Sequence, residues 1–337
     1  MAPMQRRDFL SNSFAGGLAA ASPQETPRGR PANDEESTSY EVETVIERRV
    51  SGKPHKGKVL AAIQPHCDDI PIYAGGTVLK LIDEGYEGIL ITMSNDSMAG
   101  NLNADLAQTR RGEATHGQIV RANEEDTIEL GRRLGLKESI FLNYPNHNMD
   151  AWPIIEMRAR LIFLFRAYKV DTVLVYDPSG LYERNPDHYV TARAVESAYW
   201  MSKSEWDYAE HFKVGLEPYG PNEAYYFARG PQVVNRAVDI SGFIDQKAYA
   251  NTANVTQGPS GTRGAALKRR LAAEGKKLPL LGDDDETANR EYTKRFVLER
   301  DRIRGQRYGL EYAELYHYIG PGESNLQRYI DENALPL

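Results

Sequence analysis

The stretch that decides the fold is Val59-Leu60-Ala61-Ala62-Ile63-Gln64-Pro65-His66-Cys67-Asp68-Asp69. Its first five residues form a continuous apolar run of the length that is typical of a buried strand. An imidazole and two carboxylates follow directly where such a strand would end. A helix is predicted after them, over residues 71–84, because Leu79 and Ile82 share one face and Pro71 suits a first helical turn. The stretch therefore predicts a strand, a loop rich in reactive side chains, and a helix.

The same alternation of strands and helices continues as far as residue 200. It predicts strands at 88–93, 139–142 and 170–176, and helices at 121–134, 153–168 and 188–200. Apolar strands that alternate with helices predict an α/β fold, in which a parallel sheet carries helices on both faces. The later part is less regular, with strands at 223–229 and 233–240 around an Arg-Gly-Pro turn and helices at 242–250, 262–273 and 286–304. It predicts a smaller C-terminal α+β extension.

The ends of the chain predict how it is organised. Arg6-Arg7 stand before Phe9-Leu10 and a run of small residues, which resembles a twin-arginine export signal over residues 1–21. The alternative is a disordered tail that contains two adjacent arginines. Residues 22–45 are rich in Pro, Glu and Ser and predict a disordered linker, followed by a core at 46–202 and an extension packed on it at 203–337. The signal predicts a bacterial protein exported by the twin-arginine machinery, to the periplasm or outside the cell.

Composition excludes several classes of protein. The chain has 337 residues and a formal net charge of −7, which argues against a nucleic-acid binder because such proteins normally present a basic face. Cys67 is the one cysteine, so neither a disulfide framework nor a multi-cysteine zinc site can form. No apolar run approaches the roughly 20 residues of a membrane span, so stable membrane insertion is not expected.

Two loops concentrate residues that can bind a metal ion. The second loop, residues 177–188, follows the strand predicted at 170–176 and lies at the same edge of the sheet, where α/β proteins bind ligands. His66 and Asp69 of the first loop can face one ion, and His188 of the second loop completes a set of three. Catalytic zinc typically has three protein ligands and one water. Asp68 would then be free to act on that water.

Each of these residues also has a plainer interpretation. The Asp pair could simply cap the following helix, His188 could lie on the surface, and Asp187 could cap its own helix. Cys67 is more typical of a small buried residue than of a ligand. The remaining histidines fit no ligand spacing and are expected to be structural or exposed: His55, His116, His147, His211 and His317. The case for a site comes from the coincidence of the two loops.

Both loops resemble signatures of one known family. Pro65-His66-Cys67-Asp68-Asp69 resembles the His-x-Asp-Asp signature of the PIG-L/LmbE-like deacetylases, and Asn185-Pro186-Asp187-His188 resembles their His-Pro-Asp-His signature. The resemblance covers roughly residues 59–200. It implies a Rossmann-like fold, one zinc ion, and hydrolysis of an N-acetyl group on a glucosamine-containing substrate. It also implies that His66, Asp69 and His188 bind the zinc and that Asp68 is the general base.

The resemblance extends to less certain positions. Tyr182 resembles a tyrosine that family members use near the carbonyl, and Arg121 resembles a substrate-contacting arginine, although a solvated helix residue is an equal alternative. Asn185 stands where many members have a histidine; it can donate a hydrogen bond to an oxyanion but cannot carry a proton charge. Asp96 and Asn146, in loops of the predicted site, could bind sugar hydroxyls or make turns.

The sequence therefore predicts a zinc-dependent deacetylase that acts on an N-acetylglucosamine-like sugar or glycoconjugate. The alternative is a non-catalytic, metal-containing sugar-binding protein of the same fold, which Asn185 motivates. Two histidines and one carboxylate also suit ferrous iron, so the metal stays open. A dinucleotide-binding protein is disfavoured because no Gly-x-Gly-x-x-Gly loop follows the first strand. A sugar is the expected partner, and the oligomeric state is not predicted.

Overall fold

The fold is taken from a computed structural model that describes residues 43–98, 115–321 and 325–335. Within these residues the strands are β1 (Val45–Glu47), β2 (Val59–Gln64), β3 (Glu87–Ser94), β4 (Glu138–Tyr144), β5 (Thr172–Tyr176), β6 (Glu223–Phe227), β7 (Arg236–Asp239) and β8 (Ala313–Ile319). The α-helices are α1 (Asp69–Tyr73), α2 (Gly75–Asp83), α3 (His116–Arg133), α4 (Ile154–Tyr168), α5 (Pro186–Met201), α6 (Ile244–Asn251), α7 (Arg263–Ala273), α8 (Asp285–Tyr292), α9 (Glu299–Gln306) and α10 (Asn325–Asn333). The predicted export signal and nearly all of the predicted linker lie outside the described residues.

The strands form one eight-stranded sheet in the order β1-β7-β8-β6-β5-β2-β3-β4. Strand β2 lies between β5 and β3 and pairs with both in parallel, and the pairs β3–β4 and β5–β6 are also parallel. Strand β8 runs antiparallel to both of its neighbours, β6 and β7. The mostly parallel sheet confirms the predicted fold class.

Strand β2 is buried on both faces. Leu60 and Ala62 pack in a core cluster that includes residues of α2 and α6, whereas Ala61 and Ile63 pack in a second cluster with residues of α4 and α5. Successive side chains of a strand point to opposite faces, so this alternation places one helical layer on each side of the sheet. Burial of each large aliphatic side chain contributes roughly 1.5–3 kcal/mol. None of the helices in the described parts of the chain is long and apolar enough to cross a membrane.

The helix predicted over residues 71–84 is in fact two helices, α1 and α2. The chain leaves helical geometry at Ala74, whose φ and ψ are −138° and 2°. This break frees backbone N–H groups at the start of α2, and the buried carboxylate of Glu314 accepts hydrogen bonds from two of them, Gly76 (2.9 Å) and Thr77 (2.8 Å). Gly76 also allows a close approach, because a Cβ atom there would lie 2.7 Å from Ile240 Cγ2. The helix predicted over 286–304 is likewise divided, by a π-helical turn at Thr293–Val297.

The C-terminal region contains a strand that the sequence analysis missed. Strand β8 inserts between β6 and β7, so the two strands predicted around the Arg-Gly-Pro turn are not neighbours. The strand was missed because β8 carries a charged residue, Glu314, on a buried face, where it forms an ion pair with Lys247. A charged residue at a core position breaks the apolar pattern that predicts a buried strand. The region after residue 202 thus supplies β6, β7 and β8 to the same sheet as the earlier strands.

Candidate metal centre

The two loops meet at the carboxyl edge of the sheet, as expected. Strand β2 ends at Gln64 and its parallel neighbour β5 ends at Tyr176, so the segments that follow them emerge side by side. Asn185 caps α5, because its side-chain oxygen accepts a hydrogen bond from the Asp187 backbone N–H (3.0 Å). This cap fixes His188 in the first turn of α5, facing the loop that carries His66.

Three side chains converge with the geometry of a metal site. Ligand atoms of His66, Asp69 and His188 all lie within 4.8 Å of one another. His66 Nδ1 is 3.0 Å from His188 Nε2 and 3.4 Å from Asp69 Oδ2, and His188 Nε2 is 3.7 Å from Asp69 Oδ1. Tetrahedral zinc with bonds of about 2.0–2.1 Å holds its ligands about 3.3 Å apart, so the two ring nitrogens and the Asp69 carboxylate have about the spacing that such an ion needs. Two ring nitrogens at this distance share either a proton or a metal ion between them.

Each of the three side chains is held by a polar neighbour. Asp187 Oδ2 lies 3.1 Å from His66 Nε2, and Glu183 Oε2 lies 3.3 Å from His188 Nδ1. The Tyr176 hydroxyl donates a 2.6 Å hydrogen bond to Asp69 Oδ1, and its ring stacks on His188 with centroids 4.2 Å apart. A carboxylate behind a metal-binding histidine sets its tautomer and ring orientation. The surroundings of the triad therefore support metal binding.

Asp187 connects the two loops to a third one. Its carboxylate accepts hydrogen bonds from the backbone N–H groups of His147 (2.7 Å) and Met149 (3.2 Å), and Asn146 Nδ2 lies 3.4 Å away. Asp187 therefore does not cap its own helix, which was the plainer interpretation of the sequence. The cap is Asn185, and the Asp187 carboxylate is left to hold His66 and the loop after β4.

A cleft of about 200 Å³ opens over the triad. The described residues that line it are His66, Asp68, Asp69, Ile72, Tyr73, His147, Asn185, His188, Arg229 and Gln257. Burial, together with the negative charge of Asp69, raises the pKa of Asp68 to about 6. Burial also disfavours the charged form of Asp69, but the two histidines and the Tyr176 hydroxyl outweigh it and lower the pKa of Asp69. The two adjacent carboxyl groups therefore differ. Asp69 favours the ionised form that binds a metal, whereas the raised pKa of Asp68 suits a group that accepts and releases a proton.

Two of the predicted catalytic residues lie in different settings. Asn185 lines the cleft, and because its side-chain oxygen caps α5, its amide NH₂ is the group that can donate to a ligand. Tyr182 is 80% exposed, in a left-handed backbone conformation with φ of 60°, and is not among the described residues that line the cleft. Its role near a substrate carbonyl stays a prediction.

The predicted substrate-binding residues do not line the described part of the cleft. The Arg121 side chain is 81% exposed on α3 and forms an ion pair with Glu125 (3.0 Å), one turn further on. Asp96 is buried and accepts a hydrogen bond from the Cys67 backbone N–H (3.0 Å). Asn146 is buried and accepts one from Met98 N (3.0 Å). Asp96 and Asn146 hold the loops around the triad, and sugar contact by all three residues stays a prediction.

Three polar residues at this site were not anticipated from the sequence. His147 and Gln257 line the cleft, and Arg229 does so while its Nε donates a 2.9 Å hydrogen bond to Glu183. His147 had been expected to be structural or exposed. The signal that could have found it is its place directly after β4, at the same sheet edge as the triad. Arg229 has a similar place two residues after β6, but the sequence analysis put that strand in a separate extension and so did not bring Arg229 to this edge. No comparable local signal marks Gln257.

Comparison with known proteins finds one family that resembles part of the chain. Residues 61–199 match the family model described as PIG-L: GlcNAc-PI de-N-acetylase. This segment, about two fifths of the chain, is similar to the PIG-L domain. This match confirms the resemblance found in the two loops, and it confirms the predicted enzyme class, because the family is described by an amide hydrolysis. Metal dependence is typical of this family, and the His66, Asp69 and His188 cluster gives the PIG-L domain a possible metal site whose metal is not identified.

Individual proteins are similar to longer stretches of the chain. The diacetylchitobiose deacetylase of Thermococcus kodakarensis is 25% identical over 204 residues, which are 60% of this chain and 71% of that protein. The structure of the N,N'-diacetylchitobiose deacetylase from Pyrococcus horikoshii superposes with a TM-score of 0.61 at 23% identity, covering 83% of this chain and 87% of that one. The 4-carboxy-2-hydroxymuconate hydratase of Pseudomonas putida has a TM-score of 0.56 at 17% identity, over 80% and 98% of the chains. These two structures share the α/β fold.

Proposed function

We propose that this protein hydrolyses the N-acetyl group of an N-acetylglucosamine-containing sugar or glycoconjugate. The observation that carries the proposal is the convergence of His66, Asp69 and His188 at the floor of a cleft whose wall includes Asp68. The PIG-L domain and the deacetylase relatives support the reaction class. The fold by itself does not, because a hydratase has a similar one.

The residues of the cleft can carry out the proton transfers of this reaction. When bound at the triad, a zinc ion would polarise the acetamide carbonyl and lower the pKa of a water molecule. Asp68 accepts a proton from the attacking water as the water oxygen adds to the carbonyl carbon. Asp68 then returns this proton to the nitrogen as the C–N bond breaks, which yields acetate and a free amine. The Asn185 amide NH₂ can donate to the carbonyl oxygen as negative charge develops there.

The test is acetate release from a panel of N-acetylated sugars by native, chelated and zinc-restored protein. Activity should disappear on chelation and return with zinc. Asp68→Asn should lower turnover by roughly 10²–10⁴-fold, which is the usual range for loss of a general acid–base, while metal content stays at the native level. If Asp68→Asn instead loses the metal, Asp68 is a ligand and the proposed division of roles is wrong.

A second candidate is a sugar-binding protein that keeps the metal site without efficient turnover. Asn185 favours it, since an amide cannot carry the proton charge that a histidine can carry. Calorimetric binding of an N-acetyl sugar, with no acetate released from any member of the panel, would support this candidate. Acetate release that depends on Asp68 would exclude it.

The identity of the metal is a separate part of the proposal. We propose zinc, because two histidines and one carboxylate with an open position are a common catalytic zinc set. Ferrous iron suits the same ligands. Metal analysis of protein purified without added metal, followed by activity after anaerobic reconstitution with each ion, distinguishes them. Higher activity with iron, lost in air and restored by a reductant, would contradict the assignment to zinc.

We also propose that the protein is exported from a bacterial cell. Support comes from Arg6-Arg7, the Phe9-Leu10 pair and the following small residues, which have the order of a twin-arginine signal. Replacing both arginines by lysine should keep the protein in the cytoplasm, as measured by cell fractionation. An unchanged distribution between the fractions would contradict the proposal.

A further inference from the structure

A segment of the C-terminal region, residues 254–260, passes directly over Asp68. Asn254 Nδ2 donates a 3.0 Å hydrogen bond to the Cys67 carbonyl, which ties this segment to the loop that carries the ligands. Gly258 lies against Asp68: a Cβ atom there would be 3.0 Å from Asp68 Cβ and 3.1 Å from Oδ2. Gly258 also has a φ of +91°, which favours glycine. The segment lies outside residues 61–199, so it is a wall of the cleft that the PIG-L domain does not supply.

Gln257 lines the cleft, and its side chain carries a hydrogen-bonding atom without a partner in the described parts of the chain. This atom is the buried Oε1 of the amide. Asn254 Oδ1 and Ser260 Oγ, in the same segment, are also buried without partners in that part of the chain. An unpaired buried carbonyl is destabilising, and most buried polar groups are paired for this reason. Rotation of the Gln257 amide about its last side-chain bond would bring Oε1 into the cleft, where a ligand can supply the missing hydrogen bond.

The segment is held in place without the Gln257 side chain. Thr256 N donates a 2.6 Å hydrogen bond to Asp126, and Arg263 Nε donates a 3.2 Å one to the Gly258 carbonyl. These contacts fix the backbone on both sides of Gln257. A change of the Gln257 side chain should therefore leave the position of residues 254–260 unchanged. The backbone of Gln257 is also held in place before a ligand binds.

We infer that Gln257 is a specificity-determining residue whose amide oxygen accepts a hydrogen bond from a hydroxyl group of the sugar that bears the acetamide. This inference rests on the proposed function. A neutral carbonyl oxygen suits a neutral hydroxyl donor, whereas an ammonium group would be bound better by a carboxylate. The position beside Asp68 places this contact next to the reacting amide. Gln257 therefore selects the sugar, and Asp68 acts on the amide bond.

The inference predicts opposite effects of Gln257→Leu on binding and on stability. The variant should raise KM for the preferred N-acetyl sugar about five- to tenfold, the usual size of one hydrogen bond, with kcat nearly unchanged. The affinity for the deacetylated sugar, measured by calorimetry, should fall by a similar factor. The unfolding temperature should stay the same or rise, because the unpaired buried oxygen is gone. Gln306→Leu, the same change at an exposed position on α9, should alter none of these values.

A series of monodeoxy sugars identifies the hydroxyl group. Native protein should lose five- to tenfold in affinity for one deoxy sugar, and Gln257→Leu should bind that sugar and its parent equally. A lowered unfolding temperature with unchanged sugar affinity would overturn the inference, because it would make Gln257 a structural residue. Equal discrimination among the deoxy sugars by both proteins would also overturn it. If native protein binds sugars but releases no acetate, the proposed function fails, while the calorimetric comparison still tests Gln257.

Discussion

Asp187→Asn should weaken metal binding although Asp187 is not one of the three candidate ligands. The Asp187 carboxylate lies 3.1 Å from His66 Nε2 and also accepts hydrogen bonds from the backbone N–H groups of His147 and Met149. An asparagine has nearly the same shape but only one acceptor oxygen. In either orientation its NH₂ group faces at least one of these donors, so one of the two N–H groups loses its partner.

The size of both effects follows from these contacts. Loss of the carboxylate behind a metal-binding histidine typically lowers metal affinity 10–100-fold. One unpaired N–H group, together with weaker bonds to a neutral acceptor, should lower the free energy of unfolding of the metal-free protein by about 2–3 kcal/mol. Zinc affinity is measured by competition with a chelating dye, and stability is measured by urea unfolding without metal, because bound metal would add its own stabilisation.

Asp171→Asn is the matched control. The Asp171 carboxylate accepts hydrogen bonds from the Val59 backbone N–H (2.7 Å) and the Tyr219 hydroxyl (2.5 Å), at the opposite end of β2 from the triad. This variant should lose some stability and keep native zinc affinity. If Asp187→Asn also binds zinc as tightly as the native protein, then Asp187 holds only the loop after β4, and the reasoning about His66 is refuted.

Two further predictions concern stability. Lys247→Met should lower the free energy of unfolding by about 3–5 kcal/mol in urea, because it leaves Asp301 and Glu314 buried without the ammonium that lies 2.5 and 2.6 Å from them. A loss below 1 kcal/mol would mean that these carboxyl groups are neutral in the fold. Lys169→Asn should raise the free energy of unfolding by roughly 0.5 kcal/mol in the same assay, because asparagine tolerates the left-handed φ of 53° better than lysine. His147→Asn at φ of 62° should change it little, because histidine also tolerates this region. A clear loss in His147→Asn alone would assign the imidazole a structural role.

The part of the site that the sequence predicted is the part coded locally. His66, Asp68 and Asp69 follow a buried strand within six residues, and His188 follows an N-cap and a proline, so ordinary strand and helix rules place all four at one sheet edge. Because β2 and β5 pair in parallel, the loops that follow them emerge side by side. The local rules therefore reached the candidate ligands without any long-range information.

The part that was missed depends on contacts between distant residues. Glu314 and Lys247 look like surface residues in the sequence, yet both are fully buried and satisfy each other. The ion pair neutralises Glu314 where β8 enters the sheet. Glu314 also accepts the free N–H groups at the start of α2, after the break that the helical pattern did not predict. Gln257 and Arg229 reach the cleft for the same reason, since β6 and the chain after α6 are folded back onto the matched domain. No local periodicity records such contacts.

Backbone strain in the described residues is concentrated at the carboxyl edge of the sheet. Six non-glycine residues have a positive φ, and four of them lie at or just beyond the ends of β3, β4 and β5: Asp96, Asn143, His147 and Tyr182. Left-handed geometry costs an ordinary residue roughly 1–2 kcal/mol, so the surroundings must hold it in place. Asp187 does this at His147, where it accepts the backbone N–H, and the same carboxylate orients His66. The group that supports the candidate metal ligand therefore also stabilises the strained loop beside it, which couples the stability of this edge to the metal affinity of the site.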